Sequence, residues 1–271
     1  MSTTVTVGAR ELHVVRRGTG EPLLLIQGMS GSHLSWGDPF SDLLAEGVDA
    51  IAYDHRGIGN SSRVDEPFTI TDLADDAAGV LDALEIESAH VLGISMGGMV
   101  AQELALRHPE RLRTLTLGCT YCGGPGSALT EEAVATRLGE GMMSGDRERA
   151  IRTGYEINVA RSFAADEANY ESFRAMALAA PAPVPVIMLQ MQAIVAHDTS
   201  ARLGEVRAPT LVIHGDEDQM LGVANGRLIA SLVPGASLEV LEGVGHLFWW
   251  EQPQRSAQLV LEHVAGGRPA P

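Results

Sequence analysis

Residues Gly93-Ile94-Ser95-Met96-Gly97 put a serine between small neighbours, where an apolar run (89–94) gives way to a helix-like stretch (96–107). A strand-to-helix turn of this kind strains its central residue, and only neighbours without bulk can surround it. The hydroxyl is then held clear of the sheet beside a backbone N–H, ready to attack a carbonyl. About one chain in ten of this length shows the pattern by chance, so its context must decide. A serine hydroxyl is a poor nucleophile at neutral pH. It needs a base within hydrogen-bond reach, and the base needs an orienting carboxylate. Two loops offer these groups: Gly215-Asp216-Glu217-Asp218 after one strand-like run, and Glu242-Gly243-Val244-Gly245-His246 after the next. His246 is the expected base. Among the acids, Asp216 can cap its own turn, Glu217 reads as a solvated charge, and Asp218 projects furthest from the strand end and is preferred. Acyl transfer also needs two donors for the developing oxyanion. The N–H of Met96 is one. The N–H of Met29 is the other, in a loop where Gly28 lets the backbone come close.

These groups converge only if the chain sets several strand ends along one edge. Residues 22–26, 48–53, 89–94, 115–118, 210–213 and 238–241 are apolar runs of the kind buried on both faces of a parallel sheet. Residues 11–16 alternate apolar and polar, as an edge strand of an antiparallel pair does. Between the runs lie helical patterns, the clearest being Ile70, Leu73, Ala74, Ala77, Val80, Leu81 and Leu84. Thr69 and Asp72 resemble a capping box ahead of it. Alternating strands and helices predict a doubly wound α/β sheet, whose strand C-termini line one edge. From 120 to 201 the alternation stops: helical patterns run over 131–143, 147–160, 166–179 and 186–196, with Pro181, Pro183 and Pro185 between the last two. This stretch is expected to be a lid inserted into a core of residues 1–119 and 202–271. Lids set substrate choice more than chemistry. Its methionines, Met142, Met143, Met176, Met188 and Met191, offer flexible apolar lining or pack the lid against itself. Gly28, Trp36 and Phe248 are expected to border the substrate, with Trp249 beside them.

The 271 residues carry a formal charge of −16, which disfavours nucleic acid and anionic membrane surfaces. No basic, apolar leader and no run of about 18 apolar residues is visible, so the expected location is the cytoplasm. Cys119 and Cys122 are spaced as C-x-x-C, but Gly-Gly-Pro-Gly follows where a redox motif would open a helix, so two free thiols are expected. No metal or cofactor is expected. A homodimer is compatible with the chain. Of the remaining histidines, His197 with Asp198 at the lid exit reads as polar lining or, preferred, as a helix end. The tail from Gly266 onward is expected to be disordered.

The motifs together resemble the α/β-hydrolase superfamily over nearly the whole length. The matching stretches are residues 23–36, the run Tyr53-Asp54-His55-Arg56-Gly57-Ile58-Gly59-Asn60-Ser61, residues 93–98, residues 209–218, and Gly245-His246. The resemblance implies an α/β-hydrolase fold with a mostly parallel eight-stranded sheet and a helical lid. It implies Ser95, Asp218 and His246 as triad, Met29 and Met96 as oxyanion donors, and Arg56 as a structural anchor. Within the superfamily the chain is similar to 3-oxoadipate enol-lactonases and small carboxylesterases, which implies hydrolysis of a small-molecule ester or lactone without a cofactor. Carbon–carbon bond hydrolysis, perhydrolysis and a ligand-binding receptor are the alternatives. One departure stands out: Gln27-Gly28 replaces the usual His-Gly.

Overall fold

The structure, a computed structural model, describes residues 1–267. Eight strands are present among these residues: β1 (Ser2–Val7), β2 (Arg10–Gly18), β3 (Pro22–Ile26), β4 (Asp49–Tyr53), β5 (Ala89–Ile94), β6 (Leu112–Gly118), β7 (Thr210–Gly215) and β8 (Ser237–Leu241). They form one sheet in the order β1-β2-β4-β3-β5-β6-β7-β8. The β1–β2 and β2–β4 pairs are antiparallel and all others parallel. The helices in chain order are α1 (Asp38–Ala45), α2 (Ile70–Ala83), α3 (Met96–Arg107), α4 (Glu132–Met143), α5 (Arg147–Asn158), α6 (Arg161–Ala164), α7 (Glu167–Ala179), α8 (Val184–Val195), α9 (Ala224–Leu232), α10 (Phe248–Glu251) and α11 (Pro253–Gly266).

Two hydrophobic layers cover the sheet. On one face Leu24, Ile26, Val91 and Leu117 pack with Leu73, Ala77 and Leu81 of α2, Val100 and Leu104 of α3, and Ile229 of α9. On the other, Leu23, Leu25, Leu92 and Ile213 meet Phe40 and Leu44 of α1, Phe248 of α10, and Leu259 and Val260 of α11. Each such aliphatic side chain contributes about 1.5–3 kcal/mol on burial. That both layers need partners explains why the central strands read as unbroken apolar runs rather than alternating ones.

The strand expected at the edge is not there. Residues 11–16 belong to β2, which lies between β1 and β4. The edge strand is β1, in which Val5 is the one buried residue, so its hydrophobic pattern carries almost no signal. The α2 cap matches expectation: Thr69 Oγ1 accepts from the Asp72 N–H (3.1 Å), and Asp72 returns the bond to the Thr69 N–H (2.8 Å). Arg56 donates to Asp76 of α2 at 2.7 Å with both side chains buried, and its guanidinium lies over Phe68. It anchors the loop after β4 to that helix.

Helices α4 to α8 fill the interval between β6 and β7. Part of this insertion has a small core of its own, Tyr155, Val159 and Tyr170, with Phe163 and Phe173 against it. The four-residue α6 was not visible in the sequence, being shorter than one amphipathic repeat. Of the three prolines, Pro183 caps α8 and Pro185 occupies its first turn, where a missing N–H costs nothing. Of the tail expected to be disordered, Gly266 ends α11 and Gly267 caps it, while residues 268–271 lie outside the described residues.

Candidate active site

Ser95 sits between β5 and α3 with φ 54° and ψ −124°, a backbone conformation that non-glycine residues rarely adopt. The surroundings enforce it. Its N–H donates to Gly118 O (2.9 Å), and its own carbonyl accepts from Thr120 Oγ1 (2.7 Å). A Cβ at Gly97 would collide with the Ile26 carbonyl oxygen, so α3 can start this close to β3 only with glycine there. From residue 89 to residue 101 every other side chain is buried, and Ser95 alone is partly exposed.

The loop after β3 comes up beside the serine. A Cβ on Gly28 would lie 3.0 Å from Ser95 Cβ and 3.5 Å from Ser95 Oγ. Gln27, the departure from the usual histidine, folds its amide oxygen back onto the Gly28 N–H (2.8 Å). The Gln27 carbonyl in turn accepts from His55 Nε2 (2.9 Å). The next residue but one, Ser30, has φ 62°, and its N–H donates to Gln190 Oε1 of α8 (2.9 Å). With Gly28 and Ser30 engaged, the Met29 N–H has no protein acceptor among the described residues, and neither has the Met96 N–H. Met29 thus offers a free donor in the loop after β3, and Met96 another at the first residue of α3, directly after Ser95.

His246 and Asp218 meet as expected. Nδ1 of His246 donates to Asp218 Oδ2 at 2.7 Å, and both side chains are almost fully buried. That bond leaves Nε2 as the lone-pair nitrogen of the neutral ring. Asp218 Oδ1 accepts from the N–H groups of Met220 (2.8 Å) and Leu221 (2.9 Å). Burial would raise the Asp218 carboxyl, but the charge of His246 and bonds from His214 and His246 outweigh it and hold the group well below the usual carboxylate range. His214, at the end of β7, was missed by sequence reasoning; its Nε2 lies 3.3 Å from Asp218 Oδ2. The signal was its position four residues before the acid, at the same strand end. Asp216 instead accepts from the Gly243 N–H (2.7 Å) and ties two loops together, and Glu217 is exposed. The Ser95 hydroxyl itself makes no hydrogen bond to protein among the described residues. Catalytic contacts of this kind often close only with substrate present.

A model of the α/β hydrolase fold matches residues 21–253. The chain belongs to the α/β-hydrolase fold family. It is 31% identical to a putative carbamate hydrolase RutD from Azorhizobium caulinodans, over 94% of this chain and 95% of that one. It is 32% identical to rhodomycin D methylesterase DnrP from Streptomyces peucetius, over 83% and 84%. Among solved structures it is similar to Est816, described as an N-acyl homoserine lactone degrading enzyme, with 28% identity, TM-score 0.78, and coverage of 95% and 98%. As an α/β hydrolase it is an enzyme of the hydrolase class.

Two of the residues expected to border the substrate, Trp36 and Phe248, are buried in the fold. Phe248, the first residue of α10, is fully buried against β5 and β6 and fills the space left by Gly118. Trp36 is buried against Phe40 and Trp249, and lines a cavity of about 450 Å³ with Met176 and Trp250 that does not include Ser95. Aromatic residues next to site loops looked like lining; here their bulk fills the layer beneath the loops. Trp249 and Trp250 both donate to Ser35 O and brace that layer. A second cavity, of about 590 Å³, opens beside Asp218 between Leu129, Val134 and Arg161 of the insertion. Cys119 and Cys122 are free and buried; burial pushes both thiols up, so they stay neutral. His197 follows α8 as expected, its N–H closing on Ile194 O. No single helix among the described residues is long and apolar enough to cross a membrane.

Proposed function

We propose that the protein is a serine hydrolase that cleaves a carboxylic ester or lactone of a small molecule through an acyl-enzyme on Ser95. The observation that carries this reading is the enforced turn at Ser95, on the same sheet edge as the paired His246 and Asp218. Ser95 Oγ attacks the carbonyl carbon while His246 Nε2 takes its proton. The oxyanion forms against the N–H groups of Met29 and Met96. The tetrahedral intermediate collapses, the carbon–oxygen bond breaks, and His246 returns the proton to the departing alkoxide. Water then attacks the acyl-enzyme along the same route, and the acid leaves. Asp218 keeps the His246 ring in the working tautomer and stabilises its charged form.

A methylesterase and a lactone-degrading enzyme among the similar proteins support an alcohol-type leaving group. A carbamate, named for RutD, places the same kind of acyl carbon in front of the same nucleophile. The insertion of α4 to α8 acts as the lid in this reading, with Gly28 as the closest approach to substrate. The test is a pre-steady-state assay with p-nitrophenyl esters of graded chain length. A burst of one phenolate per active site, followed by turnover favouring short chains, is expected. A folded enzyme that gives neither burst nor turnover with any of them contradicts the proposal.

A further inference from the structure

Glu251 holds two backbone N–H groups from opposite sides of the site. Its Oε1 accepts from the Gly245 N–H (2.9 Å), the residue before His246, and its Oε2 accepts from the Ala160 N–H (3.0 Å), where α5 gives way to α6. The same two segments touch again: the Leu247 N–H donates to Asn158 O (2.9 Å), and a Cβ on Gly245 would lie 2.6 Å from the Val159 carbonyl carbon. Glu251 forms no ion pair among the described residues, so the two N–H groups are what this largely buried carboxylate binds. We propose that Glu251 is a positioning residue for His246: its ionised carboxylate ties the histidine loop to the helical insertion, and protonation releases one of the two ties. This rests on the assignment of His246 as general base.

The chemistry of the carboxyl follows from its neighbours. Burial raises it, the two N–H bonds lower it, and the charges of Glu217 and Asp218 raise it further, leaving it at about 7. Five titratable groups stand around it: Tyr155 from α5, Cys119 after β6, Glu217 and Asp218 after β7, and His246 on its own loop. Tyr155 is pushed up by burial to about 12 and the Cys119 thiol well above its usual value, so both are neutral and neither offsets the charge. A protonated carboxyl has one oxygen that must donate rather than accept. Facing two N–H groups, it can keep one bond and loses the other. The histidine loop therefore holds its place above neutral pH and loosens below it.

The experiment is kcat and KM against pH for hydrolysis of p-nitrophenyl acetate by the wild type, Glu251→Gln and Glu251→Asp. Absorbance is read where phenol and phenolate are equal, and active sites are counted by stoichiometric organophosphate labelling of Ser95. In the wild type, log kcat is expected to fall more steeply than unit slope through the neutral range, because protonation of Glu251 adds its own loss to the ordinary acid limb of a general-base mechanism. Glu251→Gln, fixed in the neutral form, should lose about tenfold in kcat above pH 8 with little change in KM. Its acid limb should have unit slope and converge on the wild type at low pH. Glu251→Asp keeps a titrating group and should keep the steep limb. A Glu251→Gln profile that superimposes on the wild type, or runs parallel to it, overturns the inference. If that variant does not fold, the wild-type limb decides, and unit slope there overturns it. If Ser95 takes no label and the wild type hydrolyses no ester, the reading of the triad has failed and this inference falls with it.

Discussion

Three acids follow β7 within three residues, and hydrogen bonding separates their roles. Asp218 turns back into the sheet edge, where His246, His214 and two backbone N–H groups converge on it, whereas Asp216 binds the Gly243 N–H across the neighbouring loop. Asp218→Asn should therefore cost about 10³–10⁴-fold in kcat with the fold retained, since an amide would favour the wrong imidazole tautomer. Asp216→Asn should stay within a few-fold of wild type. Steady-state kinetics on both variants checks this, and equal losses would reassign the acid. At this scale Ser95, Asp218 and His246, the proposed triad, and Met29 and Met96, the proposed oxyanion donors, could be singled out in the sequence because each follows a strand end or a glycine turn. His214 and Gln190 were not. A histidine inside an apolar strand and a glutamine on an apolar helix look like exceptions to a pattern, until the fold brings them to Asp218 and to Ser30.

Helix α2 supports the site without touching it. Its buried Asp76 holds Arg56, and the loop carrying Arg56 also carries His55, which braces the Gln27 carbonyl. Thr69→Ala removes one half of the reciprocal cap and should destabilise the protein by about 1 kcal/mol, lowering Tm by roughly 2–4 °C. Calorimetry on the variant should show that shift with kcat unchanged. The central strands were readable to within three residues because burial on both faces leaves an uninterrupted apolar run. The failures have the same cause in reverse. β1 buries one side chain, so its strand pattern is faint, and α6 is too short to show a helical period. The aromatic residues at 36 and 248 are buried because the loops around Ser95 rest on a packed layer, and in sequence the layer and the loops are neighbours.

For the molecule as a whole, buried polar groups lie where the insertion meets the core, and two of them, His197 and Glu251, bear on the response to pH. His197, just after α8, is lowered by burial to about 4. The unfolded chain takes up that proton near 6.5, so stability from this group is complete above that value and is lost as pH falls from about 6.5 to 4. Glu251 acts in the other direction, because its folded value of about 7 lies above the unfolded one and folding takes up a proton as pH falls through neutral. His197→Gln should thus flatten the loss of Tm between pH 6.5 and 4.5, measured by thermal scans in matched buffers. An unchanged slope would show that other groups control acid unfolding.

In the proposed mechanism an acyl group passes through Ser95. Rapid quench of the enzyme with p-nitrophenyl acetate, followed by intact-mass and peptide analysis, tests it most directly. An added acetyl group is expected on the peptide containing Ser95, formed at the rate of the burst and lost at the rate of turnover, and absent in folded Ser95→Ala. Turnover that persists in Ser95→Ala, or an acetyl group that settles on another residue at the burst rate, would contradict it.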